Sequence, residues 1–160
     1  MSRADLEFQV AYSVNLEEMQ HVLCSRADRI CTLIQLMLGA ASFSQAFNST
    51  VSVAVTGATV AAIAALQYAF QFGAKASDAK HQRNRYIMLR KEMRKLSDDE
   101  LQDRIEDLQA EDSSIAGSLR HPAWLVTSYA GSFVVDPGQE KITLLQWLFA
   151  FMAGSVPREP

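Results

Sequence analysis

Residues 30–74 read ICTLIQLMLG AASFSQAFNS TVSVAVTGAT VAAIAALQYA FQFGA, and no charged residue stands between Arg29 and Lys75. That is enough chain for two spans of about 20 residues with a tight turn between them. Ile30 to Phe47 is the first expected span, with Thr32, Gln35, Ser42, Ser44 and Gln45 inside it. Val51 to Phe72 is the second, rich in Ala and Val. The polar turn Asn48-Ser49-Thr50 is too short to reach anything but an antiparallel neighbour. The fold class expected is therefore all-α, with a two-helix transmembrane hairpin at its centre.

Composition alone hides this segregation. The chain has 160 residues, 49% hydrophobic and 21% charged, with a formal net charge of -3. Such averages suit a soluble domain, and the absence of a basic surplus argues against a nucleic-acid binder. The charges instead fall in blocks. Lys75, Lys80, Arg83, Arg85, Arg90, Lys91, Arg94 and Lys95 follow the second span, and an acidic block from Asp98 to Asp112 follows them. Arg26 and Arg29 precede the first span, while the turn carries no charge. Positive flanks stay on the cytoplasmic side. Both termini are thus expected in the cytoplasm, and only the turn outside.

Before the hairpin, Leu16, Met19, Leu23 and Ile30 recur at helical spacing, and Glu17, Glu18 and Arg26 are expected on other faces. This predicts an amphipathic helix over residues 1–29. After it, Ala79, Gln82, Tyr86, Leu89, Met93 and Leu96 form a seam of alternating three- and four-residue steps. Ser97-Asp98-Asp99-Glu100 is a capping-box pattern opening a further helix with the apolar face Leu101, Ile105 and Leu108. The basic and acidic helices together predict a cytoplasmic helical hairpin over 75–118. A C-terminal helical region and tail fill 119–160. There Pro122 suits the first turn of a helix over Ala123 to Ala130, which Gly131 ends. Asp136-Pro137-Gly138 marks a turn. The apolar run Ile142 to Met152 is too short to span. It packs on the protein, lies at the interface with Trp147 as anchor, or dips into the membrane.

Catalysis finds no support. There is no glycine-rich phosphate loop, nucleophile elbow or zinc spacing, so no enzyme activity, cofactor or metal is expected. His21, Cys24 and Cys31 give too few convergent ligands for a metal. The two cysteines are roughly 10 Å apart along a helix, too far for a mutual disulfide. The spans carry more information. Thr32, Gln35 and Ser42 share one face of the first, and Gln67 and Gln71 one face near the end of the second. Ala54, Ala58, Ala61, Ala65 and Ala69 form a small-residue ladder. Small ladders let helices approach closely, and amides and hydroxyls bond between them. The same polar residues could line an aqueous path in an oligomer. Both readings stand at this point. Lys75, Lys80, Arg83 and Arg85 are candidates for lipid head groups or a partner.

The helix opening Lys75-Ala76-Ser77-Asp78-Ala79-Lys80-His81-Gln82-Arg83-Asn84-Arg85-Tyr86-Ile87-Met88-Leu89, placed after a two-span hairpin, resembles the SLATT family of bacterial two-transmembrane domains. The resemblance covers about residues 15 to 110, with Ala79, His81, Tyr86 and Leu89 in the family's recurring positions. It implies a membrane effector found beside nucleotide-signalling genes in antiphage defence, homo-oligomeric in the lipid bilayer of the bacterial inner membrane. A sensor or nucleotide-signalling partner protein would trigger it to form a pore or disrupt the membrane. Competing readings are a phage-type holin or superinfection-exclusion protein, a membrane adaptor that forms no pore, and a soluble bundle with residues 30–72 as its core.

Overall fold

The computed structural model describes residues 2–43, 50–112, 115–131 and 141–157. Among them every regular element is helical. They are α1 (Arg3–Phe43), α2 (Thr50–Phe70), α3 (Phe72–Glu92), α4 (Asp98–Ala110), α5 (Gly117–Ala130) and α6 (Leu144–Ala153), with a 3-10 turn at Met93–Lys95. Asn48 and Ser49 of the expected turn lie outside the described residues, as does Asp136-Pro137-Gly138, and Thr50 is the first residue of α2.

The 41 residues of α1 make it the mast of the molecule, roughly 60 Å long at 1.5 Å per residue. Its partners run the opposite way. Arg3 donates to the carbonyls of Met93 and Leu96. Glu18 pairs with Arg83, His21 Nδ1 lies 2.8 Å from the Ala76 carbonyl, and Asp28 meets Gln67. Numbers rise along α1 as they fall along α3 and then α2. So α3 lies against the N-terminal half of α1, and α2 against the C-terminal half. The change at residue 30 is one of chemistry and not of backbone, since α1 runs through it unbroken.

Two cores flank the N-terminal half of α1. On one side Leu6, Val10 and Val14 pack with Tyr86, Leu89, Leu101, Ile105 and Leu108. On the other Leu16 and Met19 pack with Leu119, Ala123, Ala150 and Ala153. The seam on α3 and the apolar face of α4 are therefore used as the sequence implies. The expected two-helix packing of basic on acidic helix is really a three-helix contact, because the buried face of α3 (Ala76, Ala79, Gln82, Tyr86 and Leu89) is shared by α1 and α4. Enclosure on both sides also corrects the placing of Glu17. It does not occupy a solvent face but is buried, as are Ser13, Val14, Leu16, Met19 and Gln20 of the same helix.

Local signals set the helix ends. Ser97 and Glu100 form the reciprocal capping box. Thr143 and Gln146 form a second one that opens α6, which ends at Gly154 with φ 75°. Arg26 donates to the carbonyls of Phe151 and Met152 there, tying α6 to the mast. Helix α5 begins earlier than Pro122 implies. It starts at Gly117 and carries the proline inside. The reason is burial, since Leu119 on the extra turn is wholly enclosed in the second core.

Between the second span and the basic helix, where the sequence suggests that one helix continues into the next, the regular backbone is interrupted at one residue. Gln71 is left-handed, with φ 49° and ψ 46°, and separates α2 from α3. A non-glycine residue there costs roughly 1–2 kcal/mol. Replacing Gln71 by Gly should therefore raise the thermal unfolding midpoint by a few degrees, and Gln71→Val should lower it. Scanning fluorimetry of the purified chain in detergent checks this.

Candidate membrane-facing site

Residues 30–41 and 53–70 extend past both cores as a pair of helices, and among the described residues most of their outward side chains are uncovered, apart from Leu66 and Phe70, which also face α6. Ile30, Leu33, Ile34, Leu36 and Met37 are exposed on α1, and Val53, Val55, Leu66, Tyr68 and Phe70 on α2. Leu36 is 66% exposed and Tyr68 84%. A water-soluble core would bury these residues, as large exposed apolar surface in a soluble protein is limited to small patches. The stretch Val53–Lys95 holds a window of mean hydropathy 1.6, long and apolar enough to cross a membrane, with none of it buried.

Helices α1 and α2 pack on each other, and the half-buried positions are Cys31, Gln35 and Leu38 on α1 and Thr56, Val60, Ile63 and Gln67 on α2. Gln67 is the polar clasp of this contact. Its Nε2 donates to Asp28 Oδ1 at 3.1 Å, the Asp28 carbonyl at 3.3 Å and Thr32 Oγ1 at 3.2 Å. Thr32 in turn donates to the Asp28 carbonyl. Asp28 thus carries a carboxylate to the rim of the uncharged arm, satisfied by an amide.

The sequence-derived residues separate accordingly. Thr32 and Gln67 come together as an interhelical bond. Gln35 faces α2, and the side chain of Ser42 lies outside the described residues. Gln71 does not share a face with Gln67, because the left-handed residue turns the backbone there and leaves it exposed. Ala54, Ala58, Ala61, Ala65 and Ala69 do not pack on α1. All five are exposed, on the side of α2 that faces away from it. The half-buried positions of α2 are instead the bulkier Thr56, Val60, Ile63 and Gln67, and the ladder is left exposed.

The basic residues divide as well. Arg83 pairs with Glu18 at 2.6 Å, and Arg85 pairs with Glu111 and donates to Gln82. Both serve inside the fold. Lys80 is exposed and Lys75 half-buried, and neither forms a salt bridge among the described residues. Of Ala79, His81, Tyr86 and Leu89, three are core residues, while His81 is exposed beside Asp78.

One feature had no sequence counterpart, and a second refines the expectation for the run at 142–152. The first is a buried polar cluster between the cores. Tyr86 donates to Asp112 Oδ1 at 3.0 Å and is also bonded to Ser13, and Gln82 donates to the same Asp112 oxygen at 2.8 Å. Glu17 lies near Asp112 and Tyr86 with 1% exposure, and neither of its oxygens meets a donor among the described residues. Burial first, and the charge of Asp112 second, push its carboxyl up to about 8. Burial, followed by the charge of Asp112 and the hydrogen bond to it, likewise raises the Tyr86 phenol. The second feature is the outer face of α6. Ala150 and Ala153 are buried, while Leu144, Leu145, Trp147, Leu148 and Phe151 are exposed. The run at 142–152 therefore packs on the protein by one face and offers an apolar one outward. The Thr143-x-x-Gln146 spacing could have revealed its start.

Among the described residues, no group of three or more His, Cys, Asp or Glu is placed to hold a metal. The class that fold and surface define is an all-helical protein with one stretch long and apolar enough to cross a membrane, standing on a polar helical bundle. No family model, curated protein or solved structure matches the chain.

Proposed function

We propose that the chain is a small integral membrane effector of the bacterial inner membrane. In this reading residues 30–72 cross the bilayer as a hairpin, with both termini in the cytoplasm. The observation that carries it is the exposure, among the described residues of that charge-free arm, of Leu33, Leu36 and Met37 on α1 and of Val53, Val55 and Tyr68 on α2. Lipid is the solvent in which such a surface costs nothing, and helices are one of the two structures whose backbone is satisfied there. The bundle of α3 to α6 around the N-terminal half of α1 forms the cytoplasmic base. The free alanine ladder supports close approach of a second copy. The SLATT-like helix supports a role in antiphage defence, in which a partner triggers an oligomer to form a pore or disrupt the membrane. The chain is a non-enzymatic effector in this reading.

A non-pore adaptor is the second reading, favoured by one observation. Thr32 and Gln67 bond to each other and to Asp28, so two of the candidate pore residues are already occupied. Expression in a bacterial host with a membrane-potential dye separates the two. The wild type should depolarise cells once the triggering partner is supplied. Gln35→Leu/Ser42→Leu should slow this several-fold while leaving the protein in the membrane fraction. Unchanged depolarisation by the double variant removes the polar-face pore. No depolarisation by the wild type selects the adaptor. Recovery of the wild type in the soluble fraction would overturn the membrane reading itself.

A further inference from the structure

At the level where the uncharged arm joins the bundle, an apolar cleft of about 580 Å³ opens between four helices. Leu23, Cys24 and Ala27 of α1 form its back. Leu66 and Phe70 of α2 line one side, and Leu148, Phe149 and Met152 of α6 the other. Ile115 and Ala116 lie at the start of α5. Two polar side chains reach it. Gln20 is spent internally, accepting from the Ala116 amide at 3.3 Å and lying 3.6 Å from Cys24 Sγ. Lys75 is not. It forms no salt bridge among the described residues, and its charge is felt at the buried Cys24 thiol.

We propose that this cleft takes one acyl chain of an anionic phospholipid, whose phosphate is held by the Lys75 ammonium. The proposal rests on the membrane reading above and adds a ligand to it. The size fits. A methylene is about as large as a water, which fills roughly 30 Å³ of liquid, so the cleft holds on the order of 15–20 carbons. The position fits too. Leu66 and Phe70 belong at once to the exposed apolar surface of the arm and to the cleft wall, so a chain enters from the bilayer without crossing water. Trp147, stacked on Phe151 at 5.5 Å, stands exposed on the neighbouring turn of α6, where an indole suits the head-group level. Charge selects the head group. The one uncommitted polar group at the mouth is a cation at the end of the hydrocarbon-facing helices, where lipid phosphates lie. An apolar partner peptide would gain nothing from Lys75, and a soluble anion nothing from the cleft.

The test uses the full chain in nanodiscs of phosphatidylcholine doped with phosphatidylglycerol bearing a mid-chain diazirine. Photolysis and peptide mapping should place adducts on 23–27 and 148–152, in addition to adducts on 33–37 and 53–66 from lipid around the arm. Ala116→Phe fills the cleft and should abolish the first set while sparing the second. Lys75→Gln should lower the preference for phosphatidylglycerol over an equally labelled phosphatidylcholine by about fivefold, the effect of one lysine at an anionic surface. An independent readout serves if Ala116→Phe misfolds. In a Cys31→Ser background, alkylation of Cys24 in detergent should be slowed by added phosphatidylglycerol, and less so with Lys75→Gln. Adducts on the arm with none on 23–27 and 148–152 would overturn the lipid site alone. So would cross-linking of the cleft to residues 132–140 of the chain in place of lipid. Absence of both sets would overturn the membrane reading.

Discussion

Replacing Glu17 by Met should make the helical bundle markedly more stable at pH 8 and remove most of its pH dependence. Glu17 sits in α1 with 1% exposure and no donor to either oxygen among the described residues. Its carboxyl, ordinarily near 4.5, is pushed up to about 8. The folded state therefore prefers the protonated acid. Below about pH 4.5 the group is neutral in both states and costs nothing electrostatically. Between there and about pH 8 the unfolded chain ionises while the folded one keeps its proton, so stability falls as pH rises. One proton corresponds to about 1.4 kcal/mol per pH unit in that window, or about 3 kcal/mol by pH 7. Above about pH 8 the loss is complete. Methionine has similar length, tolerates helices and removes the acid altogether. At pH 8 the gain is about 4 kcal/mol, which moves the unfolding midpoint of a chain this size by roughly 8–16 °C. The chain's two tryptophans, Trp124 and Trp147, sit on α5 and α6, so their fluorescence reports the bundle and not the arm. Melts of the purified protein in detergent at pH 5.5 and 8.5 should show a steep wild-type slope and a nearly flat Glu17→Met. Equal slopes would mean that Glu17 is not the group responsible.

That residue also marks where reading the sequence stops. Helical periodicity places residues on a common face, but it does not say how many faces a helix buries. The stripe Leu16, Met19 and Leu23 implies one apolar side, and Glu17 and Glu18 look solvated. Because α3 and α4 cover one flank of α1 and α5 and α6 the other, Ser13, Glu17 and Gln20 are enclosed along with the apolar residues. The same limit explains the alanine ladder. The five alanines do share a face, yet the half-buried face of α2 is that of Thr56, Val60, Ile63 and Gln67. What was legible is local or chemical. The uncharged run, the seam from Ala79 to Leu89 and the Ser97 capping box each depend on residue type at short spacing. Gln71 carries no signal for a left-handed backbone, so the break between α2 and α3 was invisible. The Thr143 box was visible in principle, though hidden in a run that looks uniformly apolar. The arrangement of Asp112, Tyr86, Gln82 and Glu17 draws on three helices and their caps, and no spacing encodes it.

Tyr86 tests whether the residues that resemble a family pattern act by packing or by chemistry. Its ring is wholly buried among Leu6, Val10, Val14, Leu101 and Ile105, and it is the largest of the fully enclosed side chains. Its hydroxyl reaches Asp112, which is exposed and loses little when the bond goes, because water replaces it. The two parts of the side chain should therefore count very differently. Tyr86→Phe keeps the ring but gives up the bonds to Asp112 and to Ser13, and should cost about 1–2 kcal/mol. Tyr86→Ala opens a ring-sized cavity where α1, α3 and α4 meet, and should cost about 3–5 kcal/mol. That is enough to unfold α4 from the mast and expose the acidic residues of α4 to protease. Limited proteolysis of membrane-embedded protein should cut Tyr86→Ala within 98–112 and leave Tyr86→Phe intact. His81→Ala serves as the contrast, since it is exposed and should leave the fold unchanged. If Tyr86→Phe proved as damaging as Tyr86→Ala, the hydroxyl and its bond to Asp112 would be the essential element. Tyr86 would then have to be explained by the polar cluster it shares with Glu17, because packing treats the two rings alike.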